Sequence, residues 1–144
     1  MTPADFGIPN YPGTYLDFLD FTILEAKDGF VRMRLPMRKD LQNTLGMAHG
    51  GVVMSMLDIA AAFSAHVGSA GKMVSLTTTQ TTSFIRSVTG PTLIAEGRVV
   101  RQTGRTAFTQ SVILDPSLSA LPDQQIAATA QCTFMLRRRG KLAG

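Results

Sequence analysis

The sequence predicts an α+β domain in which an antiparallel β-sheet curls around one long, buried helix. Apolar residues recur every three to four positions from residue 52 to residue 67, the spacing of a helix with a wide apolar face. Two extended segments precede this helix in the chain and about four follow it, most of them joined by hairpin turns. Because one helix cannot surround such a sheet, we expect the sheet to wrap around the helix.

The elements are predicted in a simple order. Residues 1–14 are rich in proline and glycine and read as an irregular arm, followed by a short helix near Tyr15 to Phe18. A loop over residues 37–48 leads to the long helix, which Gly50 and Gly51 are suited to begin. The predicted strands are residues 20–27, 30–35, 73–85, 93–101, 107–114 and 125–136.

The composition fits a single compact domain over residues 1–144. Of its 144 residues, 44% are hydrophobic and 17% are charged. Cys132 is the only cysteine, so an internal disulfide is excluded and a reducing cytoplasm is the expected location. The first residues show no secretory signal, and Asp58 and His66 interrupt the best candidate for a membrane span, so no membrane partner is expected.

The net charge of +4 is concentrated near the end of the chain, in a basic tail over residues 137–144. Arg137, Arg138, Arg139 and Lys141 form this cluster. It is either a solvated tail or a contact for phosphates or an acidic partner. Nucleic acid is not expected as a partner, because no aromatic residues interleave with the basic ones and no binding motif is present.

The strongest functional signal lies where the glycine turn enters the long helix. Backbone N–H groups at a helix start have no intrahelical acceptor, and with the helix dipole they favour an oxygen that carries developing negative charge. Asp58 lies about two turns further on, flanked by apolar residues. A carboxylate there is costly unless it is paired, solvated or catalytic. The structural alternative for Asp58 is an ion pair with an arginine or a hydrogen bond with Ser55.

The spacing between Gly50 and Asp58 limits how they can act together. Eight residues at about 1.5 Å each separate them by roughly 12 Å along one helix. A reacting carbonyl must lie about 3 Å from both its oxyanion donor and its attacking group. We therefore expect an active site shared by two antiparallel copies of the helix in a two-fold dimer.

These residues resemble a known family, the hotdog-fold thioesterases, and in particular the phenylacetate-pathway (PaaI-like) branch. The resemblance is carried by Asn43, Gly46, the run His49-Gly50-Gly51 and Asp58. It implies a hotdog fold, a homodimer and often a homotetramer, and hydrolysis of acyl-CoA thioesters without a cofactor. Family members commonly carry an acidic or amide residue where this chain has Thr79.

The resemblance also implies roles for individual residues. The Gly50 amide would polarise the thioester carbonyl, and Asn43 would help to place the carbonyl or the water. Asp58 of the partner subunit would be nucleophile or general base. His49 would mainly order the loop, and Thr77 would orient the water.

Further residues are candidates for substrate binding: Gly51 at the helix start, Met54 and Phe84 for an apolar acyl pocket, and Arg137 and Arg138 for phosphates. Metal binding is not expected, because His49, His66 and Cys132 lack ligand spacing. Two alternative functions remain open. One is a non-catalytic hotdog module that binds acyl-CoA or fatty acyl ligands, and the other, less favoured, is a hydratase or dehydratase of the same broad fold.

Overall fold

The computed structural model describes residues 1–8 and 10–140 and contains one long helix and six strands, as the sequence predicts. The long helix, α2, spans Gly50–Gly68, and a short helix, α1, spans Tyr15–Leu19. The strands are β1 (Thr22–Lys27), β2 (Phe30–Pro36), β3 (Met73–Phe84), β4 (Thr92–Gln102), β5 (Thr106–Leu114) and β6 (Ile126–Arg138). The predicted α+β class and the hotdog architecture are confirmed.

The six strands form one antiparallel sheet in the order β1-β2-β4-β5-β6-β3. Strands β1 and β2 meet at Asp28 and Gly29, whose φ angles of 52° and 74° allow a tight hairpin turn. The strand that follows α2 in the chain, β3, therefore lies at one end of the sheet, paired with β6. The edge of β3 that faces away from β6 has no strand partner within the described residues, so this edge is open to a second chain.

Helix α2 packs directly on the inner face of the sheet. The closest approach is at Gly97 of β4, where a Cβ atom would lie 2.1 Å from the carbonyl oxygen of Ala60. Only glycine permits this contact, so Gly97 sets how deeply the helix is seated. Around it, Ala60, Ala61 and Ala95 are fully buried. Small residues thus let the helix and sheet backbones meet, while larger side chains fill the core on either side.

The hydropathy of α2 differs from the sequence expectation. Despite Asp58 and His66, the helix has the length and the mean hydropathy, 1.4, that a membrane span requires. In the fold, however, 61% of that segment is buried inside the protein. Its apolar character is therefore accounted for by the core.

The N-terminal arm is more ordered than predicted. Residues Pro3–Phe6 form a 3₁₀ turn, and Phe6 and Phe21 both pack edge-on against Phe63 of α2, with ring centroids 5.9 and 6.1 Å apart. The arm therefore packs against α2 through Phe6.

The basic cluster also differs from an isolated tail. Strand β6 runs through Arg137 and Arg138, which lie opposite Val74 and Met73 of β3. Lys141, the last member of the cluster, lies outside the described residues.

A buried carboxylate ties the loop after β5 to the turn before β4. Asp115 is fully buried and accepts hydrogen bonds from the backbone N–H groups of Thr89, Gly90 and Ser117 and from the Ser117 hydroxyl. Burial raises the pKa of Asp115, but these hydrogen bonds outweigh it, so the pKa lies below its usual range. The neighbouring Val88 carbonyl accepts from the Ala48 N–H at 3.0 Å, which links this region to the start of α2.

Candidate active site

The loop before α2 is held in shape by its own polar groups. The Asn43 side-chain oxygen accepts hydrogen bonds from the N–H groups of Leu45 and Met47, at 2.9 and 3.1 Å. Gly46 has a φ of 79°, which closes the turn. The Asn43 oxygen is therefore committed to the loop, and its NH₂ group remains for a ligand, so the role of Asn43 in placing the carbonyl or the water stays a prediction.

His49 is the N-cap of α2. Its Nδ1 accepts a hydrogen bond from the Gly51 N–H at 2.8 Å, so the loop-ordering role predicted for this residue matches its position. The Gly51 amide is consequently engaged within the chain. Gly51 can therefore contribute to substrate binding only through its small size.

The Gly50 amide is the one N–H in the first turn of α2 that remains available. The N–H groups of Val52 and Val53 both donate to the His49 carbonyl, and that of Gly51 donates to the His49 ring. No acceptor for the Gly50 N–H is found within residues 1–8 and 10–140. The amide predicted as oxyanion donor is thus unpaired at the positive end of a 19-residue helix.

Asp58 is held by a single hydroxyl. The Thr77 Oγ1 donates to Asp58 Oδ1 at 2.6 Å. No cation forms an ion pair with this carboxylate among the described residues. The Ser55 hydroxyl donates to the Gly51 carbonyl instead. Neither structural alternative for Asp58, an arginine partner or Ser55, is therefore found among the described residues.

The partly exposed face of α2 forms a stripe beside the edge strand β3. We define the stripe as Gly50, Met54, Asp58 and Ala62, residues four apart and hence on one face. Four β3 side chains lie along it in reverse order: Phe84 next to Gly50, Gln80 bonded to the Met54 carbonyl at 3.1 Å, Thr77 bonded to Asp58, and Ser75 directed at the Ala62 carbonyl.

Gln80 is a site residue that the sequence interpretation missed. A β-bulge between Thr77 and Thr79 shifts the alternation of β3, so that Gln80 lies on the helix-facing side, opposite Cys132. The resemblance places the acidic or amide residue that family members commonly carry at Thr79 of this chain. The amide that seemed to be missing from the strand is therefore present one residue later.

The two predicted apolar contacts lie at the open end of the stripe. Met54 is 41% exposed and Phe84 is 56% exposed. The Phe84 ring is 3.7 Å from the position of a Cβ on Gly50. Both residues can therefore contact a substrate or a second chain at this end of the helix.

Arg137 and Arg138 lie further along the sheet, near the residues that begin β3. Because side chains alternate along a strand, Arg138 shares the helix-facing side with Phe134, whose partner is Thr77, whereas Arg137 shares the outer side with Met135. Only Arg138 therefore lies on the face of Asp58, and phosphate binding by Arg137 and Arg138 stays a prediction.

Cys132 is an unsuitable nucleophile although it lies near Asp58. Burial, together with the negative charge of Asp58, raises the pKa of the Cys132 thiol to about 11. The thiol is therefore protonated at neutral pH and unreactive. In the part of the chain described here, no three His, Cys, Asp or Glu side chains are grouped as metal ligands.

A groove of about 650 Å³ crosses the outer face of the sheet, between residues such as Thr81, Gln110 and Gln131. It lies on the side of the sheet opposite to α2 and Asp58. It is therefore separate from the candidate active site.

Comparison with known proteins identifies the family. The model of the thioesterase superfamily matches residues 45–117, just over half of the chain, and this match includes Gly50, Asp58 and Thr77. The chain belongs to the thioesterase superfamily. This member is also 30% identical over 91 residues to a candidate esterase of Archaeoglobus fulgidus, and the aligned region covers 63% of this chain and 58% of that relative.

Solved structures share the fold of this superfamily member at low sequence identity. A thioesterase of Haemophilus influenzae has a TM-score of 0.79 at 10% identity, with 93% of this chain and 90% of that chain covered. A thioesterase family protein of Silicibacter pomeroyi has a TM-score of 0.78 at 19% identity, with 95% and 96% covered. A Streptococcus mutans protein bound to acetyl-CoA has a TM-score of 0.72 at 20% identity, with 85% and 92% covered.

Proposed function

We propose that this superfamily member is a hydrolase that cleaves acyl-CoA thioesters to a free acid and CoA. The observation that carries the proposal is the helix stripe: an unpaired Gly50 amide at one point and, two turns on, a carboxylate that has a hydroxyl partner but no cation. A thioester carbonyl is already electrophilic, so one oxyanion donor and one carboxylate supply the essentials of acyl transfer.

The site requires two chains, because Gly50 and Asp58 of one helix are roughly 12 Å apart. A two-fold axis that places Gly50 of one protomer beside Asp58 of its partner must pass next to Met54, the residue midway between them. The open edge of β3 and the exposed Met54 and Phe84 side chains lie on this same side of the molecule. We therefore propose a homodimer formed through the stripe and the β3 edge, with pairing into a tetramer as a further step.

In the proposed reaction, the thioester oxygen accepts a hydrogen bond from the Gly50 N–H. Asp58 of the partner subunit either attacks the carbonyl carbon or removes a proton from the attacking water. When Asp58 attacks, the carbon–sulfur bond breaks to leave an anhydride between the acyl group and Asp58, the thiolate of CoA takes a proton from solvent, and water then hydrolyses the anhydride to the free acid. When Asp58 removes a proton from water, the hydroxide adds to the carbonyl carbon, the carbon–sulfur bond breaks, and that proton passes to the sulfur, which leaves as the free thiol of CoA. In both forms of the reaction, the Thr77 hydroxyl holds the Asp58 carboxylate in position through its 2.6 Å hydrogen bond.

The remaining predicted contacts have distinct places in this proposal. Arg138 pairs with Met73, which is four positions before Thr77, so it lies about 13 Å along the sheet from Thr77 and is our candidate contact for the CoA phosphates. Met54 and Phe84 border the acyl end. The acetyl-CoA bound to the Streptococcus mutans neighbour supports CoA as the leaving group. The PaaI-like branch and a cytoplasmic location remain predictions.

The test uses substitutions at Gly50 that separate its amide from its backbone position. Gly50→Pro removes the N–H, yet proline is favoured at the first position of a helix and the extended ψ of 138° at His49 suits a residue before proline. We expect the rate of thiol release from acyl-CoA esters to fall about 10²- to 10³-fold. Gly50→Ala retains the amide, and its Cβ would only touch Phe84 at 3.7 Å, so it should remain active.

Asp58→Asn should abolish thiol release while leaving the oligomeric state intact. Wild-type turnover in the Asp58→Asn variant would contradict the proposed reaction. Equal losses of the rate of thiol release in Gly50→Ala and Gly50→Pro would also contradict it. A wild-type protein that binds acyl-CoA without releasing thiol would instead identify the non-catalytic binding module.

A further inference from the structure

Two aromatic side chains with large exposed surfaces lie beside the stripe. Tyr15 and Phe18 of α1 are stacked, with ring centroids 6.2 Å apart and an interplanar angle of 17°, and are 52% and 49% exposed. Exposed aromatic pairs of this kind usually contact another apolar group. Neither residue belongs to the region that matches the family model.

The aromatic pair is fixed to the helix that carries the site. The Tyr15 hydroxyl is 2.9 Å from the hydroxyl of Ser55, which lies between Gly50 and Asp58 on α2, one turn before the carboxylate. Tyr15 therefore reaches the part of the helix where the reacting carbonyl would lie, without pairing with Asp58.

A second anchor holds the other end of α1. The Arg38 guanidinium lies over the Phe18 ring, 4.9 Å from its centroid, and donates to the carbonyl oxygens of Phe18 and Leu19. It also forms an ion pair with Asp40 at 2.7 Å. The rings are thus held in place before any ligand arrives, which lowers the entropy lost when they contact one.

The N-terminal segment through α1 and the strand β3 border the stripe on opposite sides. Tyr15 of α1 contacts Ser55, and Phe6 of the arm contacts Phe63. Thr77 and Gln80 of β3 lie along Asp58 and Met54. The exposed strip of helix between them therefore has the aromatic pair of α1 on one side. On the other side lie β3 side chains that are polar along Met54 and Asp58, with Phe84 at the Gly50 end. A group that extends from a carbonyl at the middle of this strip, away from Phe84, meets apolar surface on the side of α1.

We propose that Tyr15 and Phe18 form the wall that contacts the distal part of the acyl group and so determine which acyl chains are accepted. This inference rests on the proposed thioesterase function. A longer acyl chain extends further from the carbonyl and makes more contact with this wall than an acetyl group does. The rings thus contribute to substrate choice while Gly50 and Asp58 carry out the reaction.

The test compares Tyr15→Ala and Phe18→Ala with wild type on acetyl-, hexanoyl- and decanoyl-CoA. We expect kcat/KM for the two longer substrates to fall about two- to tenfold in each variant, as for the loss of an aromatic contact, with little change for acetyl-CoA. Tyr15→Phe keeps the ring and should keep wild-type selectivity. Phe108→Ala is the matched control, since Phe108 is 45% exposed on the outer face of the sheet.

The outcomes separate this inference from the function on which it rests. Equal losses for all three substrates, or a Tyr15→Phe variant as defective as Tyr15→Ala, would overturn the acyl wall. A change of oligomeric state in the alanine variants, measured by sedimentation, would assign the rings to a subunit contact instead. If wild type releases no thiol, the proposed function fails. Calorimetric affinities of wild type and the alanine variants for the same three esters then test the acyl wall. A loss of affinity in the variants that is restricted to the two longer esters supports the wall, and equal changes for all three esters reject it.

Discussion

A shared active site makes a prediction that no single-chain site makes: two inactive variants should restore each other. In the proposed mechanism, Gly50→Pro chains lack the oxyanion donor and Asp58→Asn chains lack the catalytic carboxylate. In a dimer that contains one of each, one site has both defects. The other site combines the intact Gly50 of the Asp58→Asn chain with the intact Asp58 of the Gly50→Pro chain.

The size of the effect follows from the geometry. Because roughly 12 Å separates Gly50 from Asp58 along α2, the two cannot act on one carbonyl within a chain. Random one-to-one assembly gives mixed dimers in about half of the cases, each with one of two sites intact, so about a quarter of wild-type activity is expected. Each parent variant should retain about 1% or less. The recovery is therefore at least about twentyfold.

The assay is thiol release from acyl-CoA by protein co-expressed from two differently tagged genes. Separately purified parents, mixed immediately before the measurement, are the control, because subunits that have not exchanged cannot complement. Co-expressed protein that is no more active than its parents, although mixed dimers are recovered through both tags, would refute the shared site.

Two further predictions concern the dimer axis and the buried carboxylate. Met54→Cys should form a disulfide between protomers under mild oxidation, because packed helices bring facing Cα atoms within about 4–7 Å. The disulfide is detected on non-reducing gels. Leu121→Cys is the control that should remain uncrosslinked, because Leu121 is exposed and lies outside the stripe. Asp115 has a lowered pKa in the folded state, so its contribution to stability is complete above the unfolded-state pKa of about 3.9 and is lost as the pH falls through the folded-state value. Asp115→Asn should therefore lower the free energy of unfolding at pH 7 by about 2–4 kcal/mol in urea titrations, with a smaller difference near pH 3, whereas equal urea midpoints at pH 7 would contradict this role.

The sequence was sufficient for the fold because the fold depends on patterns within each segment. The apolar spacing in α2, the alternation in β2 and the Asp28-Gly29 turn are local signals, and each matches the structure within a few residues. The candidate Asp58 was also a local signal, since it is the only acidic residue in the long helix.

What the sequence could not predict depends on contacts between distant segments. The β-bulge that places Gln80 on the helix side arises where β3 pairs with β6, more than fifty residues later in the chain. The engagement of the Asn43 oxygen and the Gly51 amide follows from loop geometry that residue types alone do not specify. The approach of Tyr15 to Ser55 joins residues 40 positions apart and has no signature in either segment.

The arrangement of the stripe explains why one helix can carry both halves of a site. Gly50 and Asp58 are equidistant from Met54, so a two-fold axis beside Met54 exchanges their places and completes two identical sites at once. Each site then receives an amide from a helix start, where the dipole favours negative charge, and a carboxylate from mid-helix, where apolar neighbours limit competing partners. Within a single chain these environments cannot coincide, because Gly50 and Asp58 are separated by roughly 12 Å along the helix. The proposed dimer would bring together two chemical environments that a single chain keeps apart.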